Sequence, residues 1–334
     1  MKYTNKYLIA LIIVVFLFPG LCFPGDTANK DKKFQVELYN GLSTLNPTDL
    51  NLAMEYNRAS EYYNYEGRYR AEDILLGDLF DFTFNKEGAF KKLKSGVQCG
   101  GRIKYLWNRK LAFSLEFRYV GRSQESNVAF QYNIRALRPD NNVFFESSQT
   151  VRTYSPFILS AKAYIPLLGI HYRWLGNPSY SSFVLESYIA GGPMFGSCRY
   201  KRGLVHRHDD SDGYWDERTY SYDIKGNGVG FALDCGIRVQ VKLYKSIGVF
   251  LESGYSYQRA GNISGNGIYQ VKLDDQNALG NTQTVTWEGK WVLVPSTFNA
   301  SVKYPASEYG GSQYNDFKLD MSGFQARIGI SFTF

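Results

Sequence analysis

The densest group of residues able to do chemistry runs from His206 to Asp212, in the order His-Arg-His-Asp-Asp-Ser-Asp. Imidazole and carboxylate groups bind divalent transition metals, so His206, His208, Asp210 and Asp212 are candidate metal ligands. The same groups also suit an Asp-His acid-base pair for hydrolysis. A solvated polar loop collects these residue types as well, and we favour that interpretation. We therefore assign no catalytic residue, no metal and no cofactor.

A second group of charged residues lies in segments that alternate apolar and polar side chains. Between Val229 and Leu243, the odd positions are almost all apolar, and the even positions include Asp234, Arg238 and Lys242. Successive side chains of a strand point to opposite faces, so each such segment has one apolar and one polar wall. The polar walls contribute the following candidate lumen residues: Glu37, Arg102, Lys104, Glu116, Arg118, Lys162, Arg173, Glu186, Asp234, Arg238, Lys242, Glu252 and Arg327.

Eight segments carry this alternation, and short and long connections alternate between them. Tight turns are predicted at 108–110, 176–179 and 245–246, and long connections at 43–95, 123–153, 199–225 and 261–316. Sorting of connections by length is typical of a bacterial barrel, with short turns in the periplasm and long loops outside. The segments are 33–42, 96–107, 111–122, 154–174, 181–198, 226–244, 247–260 and 317–334.

These patterns predict an all-β fold, an antiparallel up-and-down transmembrane β-barrel of eight strands with four long extracellular loops. Ten strands are the alternative. Aromatic residues make up 16% of the chain, and such residues build the girdles at both interfaces of a membrane barrel. Opposite charges sharing a lumen narrow enough to be filled by side chains are expected to pair across it. A polar plug is the favoured interpretation of the lumen, and a narrow permeation path is the other.

Three local features complete the strand prediction. In the fourth segment the apolar positions change parity around Pro166, which predicts a β-bulge there. The stretch from Thr48 to Ser60 has a helix-like pattern behind a capping Thr or Asp. The stretch from Thr282 to Val294 is β-prone and predicts a hairpin or an added strand pair above the membrane.

The N-terminus predicts export. Lys2 and Lys6 precede an apolar run from Leu8 to Phe18, which is about half the length that a membrane-spanning helix needs. We expect residues 1–25 to be a signal peptide cleaved near 22–25, and residues 26–334 to form a single barrel domain.

Charge and cysteine content narrow the function classes. The formal net charge of +7 falls to +5 without Lys2 and Lys6, and the charges are spread along the chain. Nucleic acid is not an expected partner of an exported protein, whereas loops rich in Lys and Arg could contact anionic lipid headgroups. A solvated positive surface without a function is the favoured interpretation of the charge. Cys99 and Cys235 are expected to face lipid from well-separated strands, so we predict no disulfide between them.

The features described above resemble those of small bacterial outer-membrane β-barrel proteins, similar to the OmpA transmembrane domain and to OmpW. The alternating strand Val229–Leu243, its neighbour Ile247–Tyr257 and the aromatic-ended stretch Phe324–Phe334 carry the resemblance. The resemblance implies recognition of Phe324–Phe334 by the barrel-assembly machinery, contact with outer-membrane lipid and lipopolysaccharide, and a monomer. We expect a non-enzymatic structural or surface-binding protein. A porin-like channel and a protease similar to the omptins, suggested by the His206–Asp212 stretch, are the alternatives.

Overall fold

The structure is a computed structural model. It describes residues 33–45, 47, 51, 80–89, 91–140, 143–179, 181–210, 213–275, 281–290, 292–293 and 315–334. The predicted signal peptide lies outside these residues, and so does all of the helix-like stretch 48–60 except Asn51. Within the described ranges, no helix is long and apolar enough to cross a membrane.

Strands account for all the secondary-structure elements whose bounds fall in the described ranges. They are β1 (Phe34–Thr44), β2 (Phe80–Gly88), β3 (Ser95–Leu106), β4 (Leu111–Asp140), β5 (Val143–Leu175), β6 (Phe183–Asp210), β7 (Trp215–Tyr244), β8 (Ile247–Asp275), β9 (Asn281–Lys290), β10 (Val292–Leu293), β11 (Asn315–Asp316), β12 (Leu319–Asp320) and β13 (Gly323–Thr333).

Eight of these strands close into a ring in the order β1-β3-β4-β5-β6-β7-β8-β13, and β13 returns to β1. Every pairing around the ring is antiparallel. The fold is therefore an antiparallel up-and-down β-barrel, and the eight-strand prediction is confirmed over the ten-strand alternative. Tight turns join β3 to β4, β5 to β6 and β7 to β8, as the connection lengths predicted.

The outer surface of the ring is an apolar belt. On β13, Phe324, Ala326, Ile328 and Ile330 are exposed, whereas the intervening Arg327 is buried. On β5 the outward residues are apolar without interruption from Trp174 to Tyr164, which is about 33 Å along the strand. A strand tilted by about 40° converts that length into a belt of about 25 Å, the height of a transmembrane barrel's apolar band.

Five ring strands continue well past the belt. β4 to β8 are between 28 and 33 residues long, although a tilted strand crosses a bilayer in about 9–11 residues. β2 pairs with β4, and β9 pairs with β8, so seven strands form a sheet beyond the membrane. We call this sheet the projecting wall; it comprises residues 80–88, 123–140, 143–160, 199–210, 215–225, 264–275 and 281–290. Most of residues 123–153 and 199–225, which were predicted to be loops, are therefore strand. β9 confirms the prediction of an added strand in the stretch that begins at Thr282.

The predicted bulge at Pro166 is wrong. β5 pairs with β4 in one unbroken register through Pro166, and its register with β6 shifts only at Arg173 to Leu175. Parity is conserved along the strand, so the odd-numbered apolar residues from Phe157 to Leu167 face the lumen. The prediction failed because it assumed that apolar side chains face lipid, whereas the upper lumen of this barrel is itself apolar.

Candidate functional site

A buried set of charged side chains fills the lower half of the lumen, towards the tight turns. Eleven of the thirteen predicted lumen residues are almost fully buried, and all eight ring strands contribute at least one of them. Five are carboxylates and six are cations, so the charges nearly cancel. We call this set the lumen network: Glu37, Arg102, Lys104, Glu116, Arg118, Arg173, Glu186, Asp234, Arg238, Glu252 and Arg327.

Arg102 lies at the centre of the lumen network. Its guanidinium contacts Glu116 at 2.6 Å, Glu252 at 2.7 Å and Glu37 at 3.2 Å. The contact with Glu252 is bidentate, because a second nitrogen reaches the other carboxylate oxygen at 3.1 Å. The planar guanidinium supplies several donors in a fixed fork, which suits an arginine for bridging three carboxylates at once.

The upper branch of the lumen network joins β4, β7, β8 and β13. Arg327 contacts Glu252 at 2.6 Å, Asp234 at 2.9 Å and Glu116 at 3.3 Å. Arg118 donates to Asp234 and contacts Glu116 at 2.9 Å. Each carboxylate therefore meets at least two cations, which reduces the desolvation penalty that an isolated buried charge would carry.

The lower branch joins β1, β3, β5, β6 and β7 near the tight turns. Glu186 accepts from Lys104 at 2.7 Å and from Arg173 at 3.0 Å. Arg238 donates to Glu37, which Lys104 also contacts at 3.3 Å. The contacts of Lys104 with Glu186 and of Arg238 with Glu37, like that of Arg102 with Glu252, link strands three places apart around the ring, so the network spans the lumen.

Two predicted members lie outside the lumen network. Lys162 is exposed on the outer face of β5, and its prediction as a lumen residue is wrong. It shares the outward parity of Tyr164, because the parity change assumed at Pro166 does not occur. Lys242 is half-buried, and its ammonium donates to the carbonyl oxygen of Ser179 at 2.7 Å, which ties β7 to the turn between β5 and β6.

Several uncharged residues of the network were missed by the sequence analysis. The Tyr39 hydroxyl donates to Glu116 at 2.5 Å, and Gln325 donates to Asp234 at 3.0 Å. His171 on β5 lies 3.0 Å from the Ser114 hydroxyl through its Nε2 atom. All of these residues occupy inward positions of their strands, so the same alternation that located the charges would have located them.

An apolar plug lies above the lumen network. Phe157, Leu159, Ile165 and other inward residues of β5 to β8 are buried there, and they form one cluster. Residues next to the ring strands complete the cluster from within the lumen, namely Leu45, Leu93, Phe317, Leu319 and Met321. The barrel interior is therefore divided into a charged lower half and an apolar upper half.

The histidines of the 206–212 stretch lie on the inner face of the projecting wall. His208 Nδ1 is 3.1 Å from an oxygen of Asp216, its cross-strand partner on β7. Arg218 donates to the second oxygen of Asp216 at 3.0 Å. His206 instead pairs with the Thr153 hydroxyl at 3.2 Å, and burial lowers the pKa of its imidazole.

The candidate metal ligands of this stretch form no metal site within the described residues. Within the described residues, no group of three or more His, Cys, Asp or Glu side chains is arranged to hold a metal ion. Asp210 follows the inward parity of His206 and His208, but Asp212 lies outside the described residues. The sequence did not identify Asp216, which the β6–β7 register brings opposite His208.

Aromatic and cationic side chains occupy the inner face below these histidines. Tyr269 stacks on Tyr220 with ring centroids 6.4 Å apart and packs against Tyr222 at 4.6 Å. The Arg202 guanidinium lies 5.2 Å from the ring centroid of Phe157, at the top of the apolar plug. Burial lowers the pKa of Arg202 to about 10. This inner face combines ring surfaces with hydrogen-bonding groups, a composition suited to binding a partner.

Comparisons with known proteins identify neither a family nor a function for this chain. No protein-family model and no curated protein matches the chain. The outer-membrane protease OmpT of Escherichia coli is similar over 92% of this chain and 100% of its own, with 10% identity and a TM-score of 0.30. A bacterial polysaccharide outer-membrane secretin is similar over 92% of this chain and 100% of its own, with 8% identity and a TM-score of 0.14. Likenesses this distant carry no argument about activity. The chain is an outer-membrane type of β-barrel by architecture.

Proposed function

We propose that this protein is a non-enzymatic outer-membrane barrel that does not conduct and that binds surface partners with its projecting wall. The lumen network carries the first half of the proposal. Its cations and carboxylates bridge the ring from strand to strand within the membrane belt, and the apolar plug covers them from above. A small hydrophilic solute would have to break several buried ion pairs and then cross a packed apolar layer.

The projecting wall supports the second half of the proposal. Strands 28 to 33 residues long are not needed for membrane insertion, so their outer parts serve something beyond the bilayer. The inner face of the wall carries tyrosines, arginines and histidines. We infer that the protein is exported through a cleaved signal peptide and is a monomer. We further infer that the assembly machinery recognises it through Phe324–Phe334, and that it contacts lipid and lipopolysaccharide, like the OmpA transmembrane domain and OmpW.

Conductance in planar bilayers tests the sealed lumen. The folded wild-type protein is expected to insert without discrete current steps, since both halves of its lumen are filled. A double variant, Arg102→Ser with Phe157→Ala, removes one large side chain from each half and serves as the positive control for a widened lumen. Heat-modifiable mobility of both proteins shows that they are folded. Discrete steps from the wild type would overturn the proposal in favour of the porin-like alternative.

One observation favours a second candidate, an Asp/His protease at the rim of the barrel. His208 and Asp216 form a hydrogen-bonded pair on the inner face of the wall, as a general base and its orienting carboxylate would. Cleavage of basic peptides by the wild type, lost in His208→Ala and kept in His206→Ala, would establish this function. His206 is the matched control because it lies two residues away and pairs with Thr153 instead. We expect no cleavage by any of the three proteins.

A further inference from the structure

The outer face of the barrel carries a cluster of cations directly above the apolar belt. Lys162 on β5, Arg199 and Lys201 on β6, and Lys225 on β7 all have outward parity and lie on three neighbouring strands. Arg199 is the direct cross-strand partner of Lys225, and Lys201 is the partner of Asp223. We call these four cations together with Asp223 the cationic patch; its net charge is +3 from four cations and one carboxylate.

The carboxylates of the protein do not compensate all the positive charge of the cationic patch. Asp223 accepts two hydrogen bonds from Arg199, from Nε at 2.7 Å and from a second nitrogen. These bonds, with Lys225 and Lys201 nearby, lower the pKa of Asp223. Among the described residues, no carboxylate makes an ion pair with Lys162, Lys201 or Lys225. Like charges placed directly opposite each other on a sheet destabilise it, so an external anion would relieve the repulsion.

The height of the cationic patch identifies the anion. The run of exposed apolar residues that forms the belt ends at Tyr164 on β5, Phe195 on β6 and Val229 on β7, although Tyr154 is exposed again further along β5. Lys162 lies two residues above Tyr164, Arg199 and Lys225 lie four residues above Phe195 and Val229, and Lys201 lies six residues above Phe195. On a tilted strand these separations place the cations roughly 5, 10 and 15 Å above the belt. The polar headgroup layer on each side of a bilayer is about 5–7 Å thick. Lys162 therefore lies in the headgroup layer, and the long side chains of Arg199 and Lys225 can extend back towards the phosphates from just above it.

We propose that the cationic patch binds the phosphate groups of a lipid headgroup in the outer leaflet. Guanidinium and ammonium groups donate charge-assisted hydrogen bonds to phosphate oxygens, and both are present on adjacent strands. The patch occupies only the β5–β7 side of the barrel, so a bound lipid has a defined position. This inference rests on the membrane placement in the proposed function, and it is independent of whether the lumen is sealed.

Native mass spectrometry of the full folded chain in detergent tests the proposal. The probes are a synthetic bisphosphorylated lipid, its dephosphorylated analogue and inorganic phosphate. We expect the bisphosphorylated lipid to bind and the analogue to bind much more weakly. The triple variant Lys162→Gln, Lys201→Gln, Lys225→Gln should lose affinity by about fivefold per lysine removed. Arg259→Gln is the control, because Arg259 is an exposed cation on β8, two residues beyond the exposed Tyr257 and outside the cationic patch.

The possible results distinguish lipid phosphate from free phosphate, and they distinguish a failure of this inference from a failure of the proposed function. Equal binding of inorganic phosphate would show a free-anion site and overturn the lipid assignment. Unchanged affinity of the triple variant, or an equal loss in Arg259→Gln, would overturn the cationic patch as the site. All substituted residues are exposed, so each variant should keep heat-modifiable mobility. A protein that inserts into bilayers without conducting but shows no preference for the phosphorylated lipid would refute this inference and leave the proposed function standing.

Discussion

Replacing Arg102 with methionine is the sharpest perturbation of the lumen network. Arg102 is buried against Glu37, Glu116 and Glu252, so its removal takes one cation from all three. Breaking a buried ion pair by removing one partner costs about 3–5 kcal/mol. We expect the free energy of unfolding to fall by about 3 kcal/mol, the lower end of that range, because each carboxylate keeps a contact with another cation. Methionine fills much of the vacated volume, so the cavity term is small.

Urea unfolding in phospholipid vesicles, followed by tryptophan fluorescence, measures the loss. Arg102→Lys retains a charge but not the bidentate geometry, so its loss should fall between those of the wild type and Arg102→Met. Arg109→Met is the control, since Arg109 is exposed in the turn between β3 and β4. A loss below about 1 kcal/mol for Arg102→Met, the size expected of an exposed pair, would refute the argument. A midpoint equal to that of Arg109→Met would do the same.

Three further predictions address packing, backbone and pH. Ala161→Leu should destabilise the barrel by about 1–3 kcal/mol by overpacking the plug, whereas Lys162→Leu next to it should change the unfolding free energy little. Gly230→Val should destabilise strongly, because a Cβ there would lie 1.8 Å from a backbone carbonyl oxygen; Gly261→Ala, with no atom within 4 Å, should be tolerated in the same assay. Burial lowers the pKa of His206, so the unfolded chain binds its proton more readily and stability should fall as the pH drops from about 7 to about 5. His206→Gln should weaken that dependence in urea titrations; an unchanged dependence contradicts the assignment.

The strand number and most of the network followed from alternation alone. Arg327 on β13 and Asp234 on β7 were placed inward because their neighbours at odd spacing are apolar, and the structure buries both. Alternation predicted the inward positions correctly wherever the lumen is charged, since the two faces of a strand then differ in polarity. Which charges pair did not follow, because contacts such as Glu37 with Arg238 depend on ring closure rather than on spacing.

The errors have one physical origin. Polarity distinguishes the two faces of a strand only where one face is polar, and in the apolar plug both faces of β5 are apolar at Ile165 and Pro166. Lys162 was placed inward for that reason. The length of the strands was also underestimated, because the wall residues between Arg199 and Lys225 are charged and aromatic and do not alternate in hydrophobicity. Their pairing is set by continuation of the register from the membrane ring.

The sharing of charges among all eight strands constrains the order of events during biogenesis. Glu37 and Arg238 are 201 residues apart in the chain, and Arg102 and Glu252 are 150 apart. A hairpin entering hydrocarbon alone would lack the counter-charges that lie on distant strands, such as Glu252 for Arg102, at a penalty of several kcal/mol per ion left unpaired. Translocation of the charged strands and completion of the cylinder must therefore be concerted, and the nascent protein needs a catalyst or scaffold that keeps half-built intermediates out of the lipid.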